Sequence, residues 1–184
     1  MIERTITRRM EARLFKGRAI ILYGARRVGK TTLVKALLER HADKRTRYLN
    51  CDLQSVQLAL SVPEAEALKA FLGVQDLVVL DEAQNIPDVG RVLKILVDTY
   101  PEMQIIASGS SSFELANRTS EALTGRIYPF ELFPLSLTEI AAGQGASVVG
   151  PHLENIMRFG LYPSLWGADE EESRFQLEEL VSNY

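Results

Sequence analysis

The feature that most restricts what this chain can be is one short run, Gly24-Ala25-Arg26-Arg27-Val28-Gly29-Lys30-Thr31. It fits the pattern Gly-x4-Gly-Lys-Thr, which is typical of loops that surround phosphate groups. The run follows an apolar stretch, 19–23, and precedes a stretch whose apolar residues have helical spacing. The alternative is a glycine turn with a lysine there by chance, and residue frequencies put such a match on the order of 1% for a chain of this length.

Each part of this phosphate loop has its own role. Gly24 and Gly29 permit backbone angles that other residues resist, the N–H groups turn inward to form an anion site, and the dipole of the following helix favours phosphate at its N-terminus. Lys30 is expected to reach the β- and γ-phosphates of a nucleotide, and the Thr31 hydroxyl to bind Mg²⁺. For the two arginines, exposure to solvent at the loop tip is the alternative to phosphate contact. The predicted nucleotide-binding residues are Gly24, Ala25, Arg26, Arg27, Val28, Gly29, Lys30, Thr31 and Thr32.

A second motif lies further along the chain, where the apolar run 77–80 is followed by Asp81 and Glu82. A fully apolar run predicts a buried parallel strand. At its end Asp81 is expected to hold Mg²⁺ beside Thr31, and Glu82 to polarise a water for attack on the γ-phosphate. A pair of solvated acids is the alternative. The sequence has no Asn-Lys-x-Asp run of the kind that reads guanine, and the adjacent glutamate is usual in proteins that hydrolyse ATP, so ATP is favoured over GTP.

Serines follow the next predicted strand, at 108 and 110–112. In ATPases of this type a polar residue at the end of that strand contacts the attacking water or the γ-phosphate. Ser108 is the favoured candidate for this sensor, with Ser110 as the second. Capping of a following helix by Ser111 or Ser112 is the competing explanation, since serine is a favoured N-cap.

The other candidate residues have ordinary alternatives. Arg126 precedes a predicted strand, where it would act on the γ-phosphate of a neighbouring copy or pair with one of the acids. His41 and His152 have no cysteine or carboxylate at metal-ligand spacing, so a zinc site is not expected. The single cysteine, Cys51, cannot form an internal disulfide and is expected in the core.

Strands and helices alternate along the chain, which favours an α/β layered fold with a mainly parallel sheet. The domain interpretation is a basic N-terminal helix over 1–16, a core over 17–142, a linker over 143–150 and a short helical extension over 151–184. Apolar spacing predicts strands over 18–23, 46–51, 77–80, 103–107 and 126–133, and helices over 1–16, 30–41, 55–72 with a break near Pro63, 88–100, 112–117, from 136 to before Gly143, 151–159 and 169–182.

Charge is spread unevenly along the 184 residues. The net charge is -3, yet residues 1–47 hold 14 Lys and Arg against 4 Asp and Glu, while residues 48–184 hold 7 against 20. A basic front half suits a polyanion, namely the triphosphate, DNA or an acidic protein partner, unless other faces of the fold compensate it. No apolar run approaches the ~20 residues needed to cross a bilayer, and no secretory signal is expected. A cytoplasmic protein with no membrane contact is the default expectation.

Several segments together resemble one prokaryotic family of AAA-type ATPases, whose phosphate loop has the form Gly-Pro-Arg-Gln-Val-Gly-Lys-Thr-Thr. In this chain Ala25 replaces the proline, and Ala83 stands where the family has isoleucine in Asp-Glu-Ile-Gln. Neither departure touches a catalytic group. The segments that carry the resemblance are 24–33, 80–84, 108–111, 123–126, 130–136 and 159–163.

The resemblance implies a three-layer P-loop fold with strand order 5-1-4-3-2 and Mg-dependent ATP hydrolysis that drives a conformational change. It leaves open a DNA or protein partner and a homo-oligomer. Family members are longer, with a winged-helix segment and a nuclease-like C-terminal region, so the chain is expected to be an N-terminal portion. The alternatives are a nucleotide-gated interaction module with little turnover, a nucleic-acid-binding protein, and a small-molecule kinase, which rarely has the adjacent glutamate.

Overall fold

The computed structural model describes residues 2–110 and 123–182. The predicted helix over 112–117 and the capping serines Ser111 and Ser112 lie outside these ranges. The chain divides into two compact units. The first comprises Ile6–Ala25 and Lys30–Leu132, and the second comprises Met1–Thr5, Arg26–Gly29 and Phe133–Tyr184. After the sheet, the chain passes from the first unit to the second at Phe133, which is earlier than the predicted end of the core at residue 142. The predicted domain bounds stay a prediction.

The first unit is built on a sheet of five parallel strands in the order β2-β3-β4-β1-β5. This is the predicted order 5-1-4-3-2 written from the other edge, so the fold prediction is confirmed. Carboxyl ends of parallel strands meet at one edge of a sheet, which is where ligands bind in folds of this kind. The strands are β1 (Ala19–Tyr23), β2 (Thr46–Asn50), β3 (Leu77–Asp81), β4 (Gln104–Gly109) and β5 (Ile127–Glu131).

Burial explains the composition of the strands. β3 and β4 are buried along their whole length, as expected for strands covered on both faces. β5 is an edge strand and carries the exposed Pro129, a residue that sheets tolerate at their edges because it has no N–H to donate.

Eight helices are described in 2–110 and 123–182. α5 covers the sheet of the first unit with a buried apolar stripe that runs from Val89 to Val97. None of the helices in these ranges is long and apolar enough to cross a bilayer. The helices are α1 (Thr5–Glu11), α2 (Lys30–Arg40), α3 (Gln54–Leu60), α4 (Ala65–Leu72), α5 (Val89–Thr99), α6 (Leu137–Gln144), α7 (Leu153–Phe159) and α8 (Glu170–Ser182), with short 3-10 turns at Ala83–Asn85, Ala146–Val148 and Gly150–His152.

Two predicted helices and the linker differ from the structure. The helix predicted over 1–16 is wrong in extent, because the chain leaves α1 after Glu11 and turns through Phe15 and Gly17, which have φ of 57° and 68°. α6 does not stop before Gly143. It continues to Gln144 and ends at Gly145, whose φ is 94°. The predicted linker 143–150 therefore contains the end of a helix and a 3-10 turn.

Cys51 lies in the core of the first unit and is fully buried, as predicted. Burial raises the pKa of its thiol to about 12. A thiol with so high a pKa is not ionised at neutral pH, so Cys51 acts as a small apolar residue.

A buried carboxylate organises the start of α6 in the second unit. Glu139 is 4% exposed. It accepts N–H hydrogen bonds from Thr5 and Ser136, and it pairs with Arg4 at 3.2 Å. Burial alone would raise the pKa of Glu139, but the two N–H donors and Arg4 outweigh it, so the pKa is lowered. The Ser136 hydroxyl accepts from the Glu139 N–H in return, which completes a capping box.

Candidate nucleotide site

The phosphate loop leaves the end of β1 at Gly24, where the backbone of residue 132 passes very close. A Cβ on Gly24 would lie 2.2 Å from the Leu132 carbonyl oxygen, far inside contact distance. The neighbouring N–H of Leu132 donates to the Tyr23 carbonyl at 2.8 Å, which fixes that approach. Glycine is therefore required at position 24 because the backbones are close, a reason beyond the backbone freedom expected from the sequence.

Lys30 begins α2 and its side chain folds back over the start of the loop. The residue is 5% exposed, and its Nζ donates to the carbonyl oxygens of Gly24 and Ala25, both at 2.8 Å. Helix N-termini attract anions through free N–H groups and the helix dipole. A buried ammonium at the same end of α2 adds a full positive charge, so this point favours a phosphate group. Thr32, the last residue predicted for nucleotide binding, is exposed on the first turn of α2.

The tip of the loop, Arg26–Gly29, belongs to the second unit. Arg26 and Arg27 are both exposed. Arg27 has a left-handed backbone with φ of 63°, and its guanidinium pairs with Glu179 of α8 at 2.7 Å. The structure thus places Arg27 in an ion pair, and a phosphate contact for either arginine stays a prediction.

The rest of the tip is held by a residue that the sequence analysis did not single out. Arg4 donates to the Val28 carbonyl at 2.9 Å and to the Pro134 carbonyl at 3.1 Å. Val28 is fully buried, and Gly29 has φ of 97°, a value that favours glycine. Arg4 was missed because nothing local marks it. It is one arginine in a basic segment, and its partners come from distant parts of the chain.

Asp81 is the centre of the site in the first unit. It is 2% exposed and accepts hydrogen bonds from three hydroxyl groups. Its Oδ2 accepts from Thr31 at 2.7 Å and from Tyr48 at 2.6 Å, and its Oδ1 accepts from Ser108 at 2.5 Å. Hydroxyl donors satisfy the lone pairs of a buried carboxylate, yet as neutral groups they do not cancel its charge.

The bond between Thr31 and Asp81 joins the two motifs that the sequence predicts as a metal site. Mg²⁺ prefers hard oxygen ligands and is usually held by one or two protein groups together with phosphate oxygens. A hydroxyl and a carboxylate 2.7 Å apart fit that requirement. Within 2–110 and 123–182 no three Asp, Glu, His or Cys side chains form another group of metal ligands.

Tyr48 is the second residue that the sequence analysis missed. It lies on β2, the strand beside β3, and Asn50 at the end of β2 pairs in register with Asp81. Burial raises the pKa of Tyr48, and its hydrogen bond to Asp81 raises it further. The phenol therefore stays protonated and continues to donate. An aromatic hydroxyl near the carboxyl end of a strand adjacent to the acidic strand is the signal that would have found it.

Glu82, the predicted base, has an unusual backbone. Its φ of 56° and ψ of 42° place a non-glycine residue in the left-handed region, a conformation that costs of order 1 kcal/mol and that recurs at functional sites. The Gln84 amide nitrogen donates to the Glu82 carboxylate at 2.6 Å and to the Ser110 hydroxyl at 3.3 Å.

Ser108 and Arg126 occupy contrasting positions. Ser108 is fully buried and donates to Asp81, so its hydroxyl hydrogen is engaged by that carboxylate. Arg126 precedes β5, where its carbonyl accepts from the N–H of Ala19 at the start of β1. That is the amino edge of the sheet, opposite to Gly24. Its Nε pairs with Asp98 at 2.6 Å, and any role for Arg126 at a nucleotide requires a second copy of the chain.

Comparison with known proteins identifies relatives of greater length. An uncharacterised protein of Mycobacterium tuberculosis is 30% identical over 167 residues, which cover 90% of this chain and 34% of that protein. An uncharacterised protein of Methanocaldococcus jannaschii is 25% identical over 195 residues, covering 98% of this chain and 43% of that protein. The chain thus spans about a third of the length of the mycobacterial relative and less than half of the archaeal one.

Solved structures share the fold at low sequence identity. The Walker-type ATPase of Pyrococcus abyssi matches with a TM-score of 0.62 and 16% identity, over all of this chain and 73% of its own. The replication initiator DnaA bound to AMPPCP and single-stranded DNA matches with a TM-score of 0.51 and 17% identity, over all of this chain and 61% of its own.

A family model described as an AAA domain matches residues 16–141. That range contains the phosphate loop, the Asp81–Glu82 strand end and all five strands of the sheet. The sheet order agrees with the P-loop fold, and the family model covers more than half of the residues, so the chain belongs to the AAA-domain family.

Proposed function

We propose that this chain binds ATP with Mg²⁺ and hydrolyses the γ-phosphate, and that hydrolysis drives a conformational change. The observation that carries the proposal is the hydrogen bond of 2.7 Å between Thr31 and Asp81. It joins the threonine of the phosphate loop to the acid at the end of β3. The buried Lys30 immediately precedes this threonine in the chain. Hydroxyl, carboxylate and ammonium together form the set of groups that P-loop enzymes use.

Each side chain has a distinct task. The Lys30 ammonium exchanges the carbonyl oxygens of Gly24 and Ala25 for phosphate oxygens, and the N–H groups of the loop bind the same anion. Thr31 and Asp81 would hold the metal ion, which would supply positive charge to stabilise the phosphate oxygens. Glu82 accepts a proton from the attacking water. Ser108 orients the Asp81 carboxylate through its hydrogen bond, in addition to the proposed role as sensor.

Two substitutions separate hydrolysis from binding alone. Lys30→Ala removes the phosphate ligand, so both nucleotide affinity and hydrolysis are expected to fall. Glu82→Gln keeps the shape and removes the base, so hydrolysis is expected to fall about 100-fold or more while ATP affinity stays. Isothermal calorimetry with a non-hydrolysable analogue and phosphate release measure the two quantities, with ATP and GTP compared side by side.

Exposed residues of the same types provide the controls, Lys94→Ala for the lysine and Glu102→Gln for the glutamate. Hydrolysis at the wild-type rate by the Glu82→Gln protein would reject the proposed base. Unchanged ATP affinity in the Lys30→Ala protein would reject the site. Binding without any turnover in the wild-type chain would support the nucleotide-gated module instead.

We propose a role for Arg126 only between copies of the chain. At the amino edge of the sheet it is exposed enough to reach a neighbouring molecule once it leaves Asp98. The expected result is that hydrolysis per chain rises with protein concentration and that Arg126→Ala removes the rise. Sedimentation in the presence of the nucleotide analogue measures whether a homo-oligomer forms.

Nucleic-acid binding is a second candidate function, and a specific surface favours it. Arg13 and Arg18 each lie 5.1 Å from the ring of Tyr128, and Arg9 lies 6.0 Å from the ring of Phe130. The three arginines are exposed. Guanidinium groups held close to aromatic rings can contact phosphate and stack on unpaired bases. DnaA, similar in fold, has been seen with single-stranded DNA, so a single strand is the first ligand to test.

Salt dependence tests this surface. Binding of a fluorescent single-stranded oligonucleotide is expected to weaken steeply as salt rises. An Arg9→Ala, Arg13→Ala double variant should lower the slope of log affinity against log salt by about 2, since each phosphate that is no longer neutralised lowers it by roughly 1. Arg45→Ala is the control, because Arg45 is exposed but paired with Asp76 at 2.6 Å. Equal decreases in both variants would reject a specific surface, and binding of an acidic protein in place of DNA would favour the protein partner.

A further inference from the structure

The turn after the acidic strand contains an amide that the proposed chemistry does not yet use. Gln84 belongs to the run Asp-Glu-Ala-Gln and lies in the 3-10 turn Ala83–Asn85. Glu82 immediately precedes this turn with a left-handed backbone, and the Asn85 N–H closes the turn on the Glu82 carbonyl at 3.1 Å. This turn reverses the chain just after β3, so the side chain of Gln84 lies against the side chain of Glu82.

Both hydrogens of the Gln84 amide have acceptors at the carboxyl edge of the sheet. One is donated to Glu82 Oε2 at 2.6 Å and the other to the Ser110 hydroxyl at 3.3 Å. Ser110 follows β4, the strand beside β3. A glutamine amide has two donor hydrogens, so these bonds tie the proposed base to the end of the neighbouring strand.

A carboxylate that removes a proton must hold one oxygen in line with the water. Glu82 has three side-chain torsions, and fixing them by packing and hydrogen bonds is what makes a base efficient. The Gln84 amide restrains the Oε2 atom and leaves Oε1 as the oxygen for the water. The left-handed conformation of Glu82 also helps to fix the carboxylate, because it turns the chain so that the Gln84 amide can reach the Glu82 side chain.

We infer that Gln84 is a positioning residue that orients the Glu82 carboxylate for hydrolysis and couples it to Ser110. The inference rests on the proposed role of Glu82 as the base. Neither of the two amide bonds goes to a residue of the phosphate loop. Substitution of Gln84 is therefore expected to change the rate of hydrolysis and to leave nucleotide affinity alone.

A graded set of variants tests this assignment. Gln84→Met keeps the length and removes the donor, and kcat for ATP is expected to fall about ten-fold. Gln84→Glu replaces the donor by a carboxylate that repels Glu82, so kcat should fall further. KM for ATP and Kd for a non-hydrolysable analogue should stay within about two-fold of wild type, a change well below the ten-fold expected for kcat. Asn85→Ala is the matched control, because Asn85 lies in the same turn and donates to Asp52 at 2.7 Å.

The possible outcomes separate this inference from the function on which it rests. A wild-type chain that does not hydrolyse ATP, or a Glu82→Gln variant with full activity, would overturn the proposed base and this inference with it. A fall in activity in Glu82→Gln together with normal kcat in both Gln84 variants would overturn the inference alone. An equal fall in kcat in Asn85→Ala, or a parallel rise in Kd, would show a structural effect of the turn and would also overturn it.

Discussion

Two buried carboxylates, one in each unit, are stabilised in different ways. Asp81 accepts hydrogen bonds from three hydroxyl groups, whereas Glu139 pairs with the Arg4 guanidinium and accepts two backbone N–H groups. An arginine cancels the charge of its partner, and a hydroxyl does not. Neutral hydroxyl donors around Asp81 suit the proposed cation site, whereas the pairing of Glu139 with Arg4 holds distant parts of the second unit together.

The contrast predicts its largest effect at Asp81. Asp81→Asn keeps an oxygen acceptor and removes the charge, so ATP hydrolysis is expected to fall at least about 100-fold as the metal ion loses a ligand. The free energy of unfolding should change little, since buried acids without a charged partner are costly. Phosphate release at saturating Mg²⁺ and urea unfolding measure the two quantities. Hydrolysis at a normal rate would contradict the proposed role of Asp81 and its contrast with Glu139.

Glu139→Gln is expected to show the opposite pattern. It leaves the half-buried Arg4 without its ion pair, so the free energy of unfolding should fall by about 2 kcal/mol. Urea unfolding followed by circular dichroism measures the fall. Hydrolysis per folded molecule should stay near the wild-type rate, and a specific loss of hydrolysis would show that Glu139 has a catalytic role as well.

Acid titration sharpens the same contrast. The folded-state pKa of Glu139 is lowered, so its contribution to stability is fully present above its unfolded pKa, about 4.3. That contribution is lost as the pH falls through the lowered folded value. Unfolding midpoints of wild type and Glu139→Gln should therefore converge below about pH 4. A difference that stays constant down to about pH 3 would contradict the ion pair as its source.

Tyr48→Phe is expected to have a smaller effect at Asp81. It removes one of three hydroxyl donors and keeps the ring, so the Mg²⁺ concentration needed for half-maximal hydrolysis should rise about ten-fold. Tyr23→Phe is a suitable control, because Tyr23 lies on β1 of the same sheet and is likewise half-buried. No change in the Mg²⁺ requirement would mean that Thr31 and Ser108 are enough to hold the carboxylate.

The smallest effect belongs to the capping box in the second unit. Ser136→Ala removes the hydroxyl that accepts from the Glu139 N–H, and loss of such a cap costs about 1 kcal/mol. Ser147→Ala removes an exposed hydroxyl of the same unit and serves as the control. Equal changes in thermal midpoint for the two variants would reject the cap.

Local patterns predicted the sheet and its order because each strand and helix carries its own apolar period and because the motifs follow one another in a known sequence. They placed Thr31 beside Asp81 because the loop that follows β1 and the end of β3 lie at the same edge of a parallel sheet. The predicted extent of the first helix was wrong, because the spacing of apolar residues gives no sign of the left-handed backbone at Phe15 and Gly17.

The residues that were missed share one property. Tyr48, Gln84 and Arg4 act through partners that are distant in sequence or on the far side of a tight turn. Tyr48 reaches Asp81 from another strand, and Arg4 reaches the carbonyl groups of Val28 and Pro134. The sequence around a hydroxyl, an amide or a guanidinium does not indicate which acceptor that group will contact in the folded chain.

By itself the sequence determined the fold class, the phosphate loop and the acidic strand end. These features depend on short-range spacing and on combinations of residue types that are rare outside such sites. Only the tertiary structure decided how the site is held. It turned Ser108 toward Asp81, it required glycine at position 24 through the approach of Leu132, and it placed Arg126 at the opposite edge of the sheet from the loop. These outcomes depend on distances between strands, which no local pattern of residues contains.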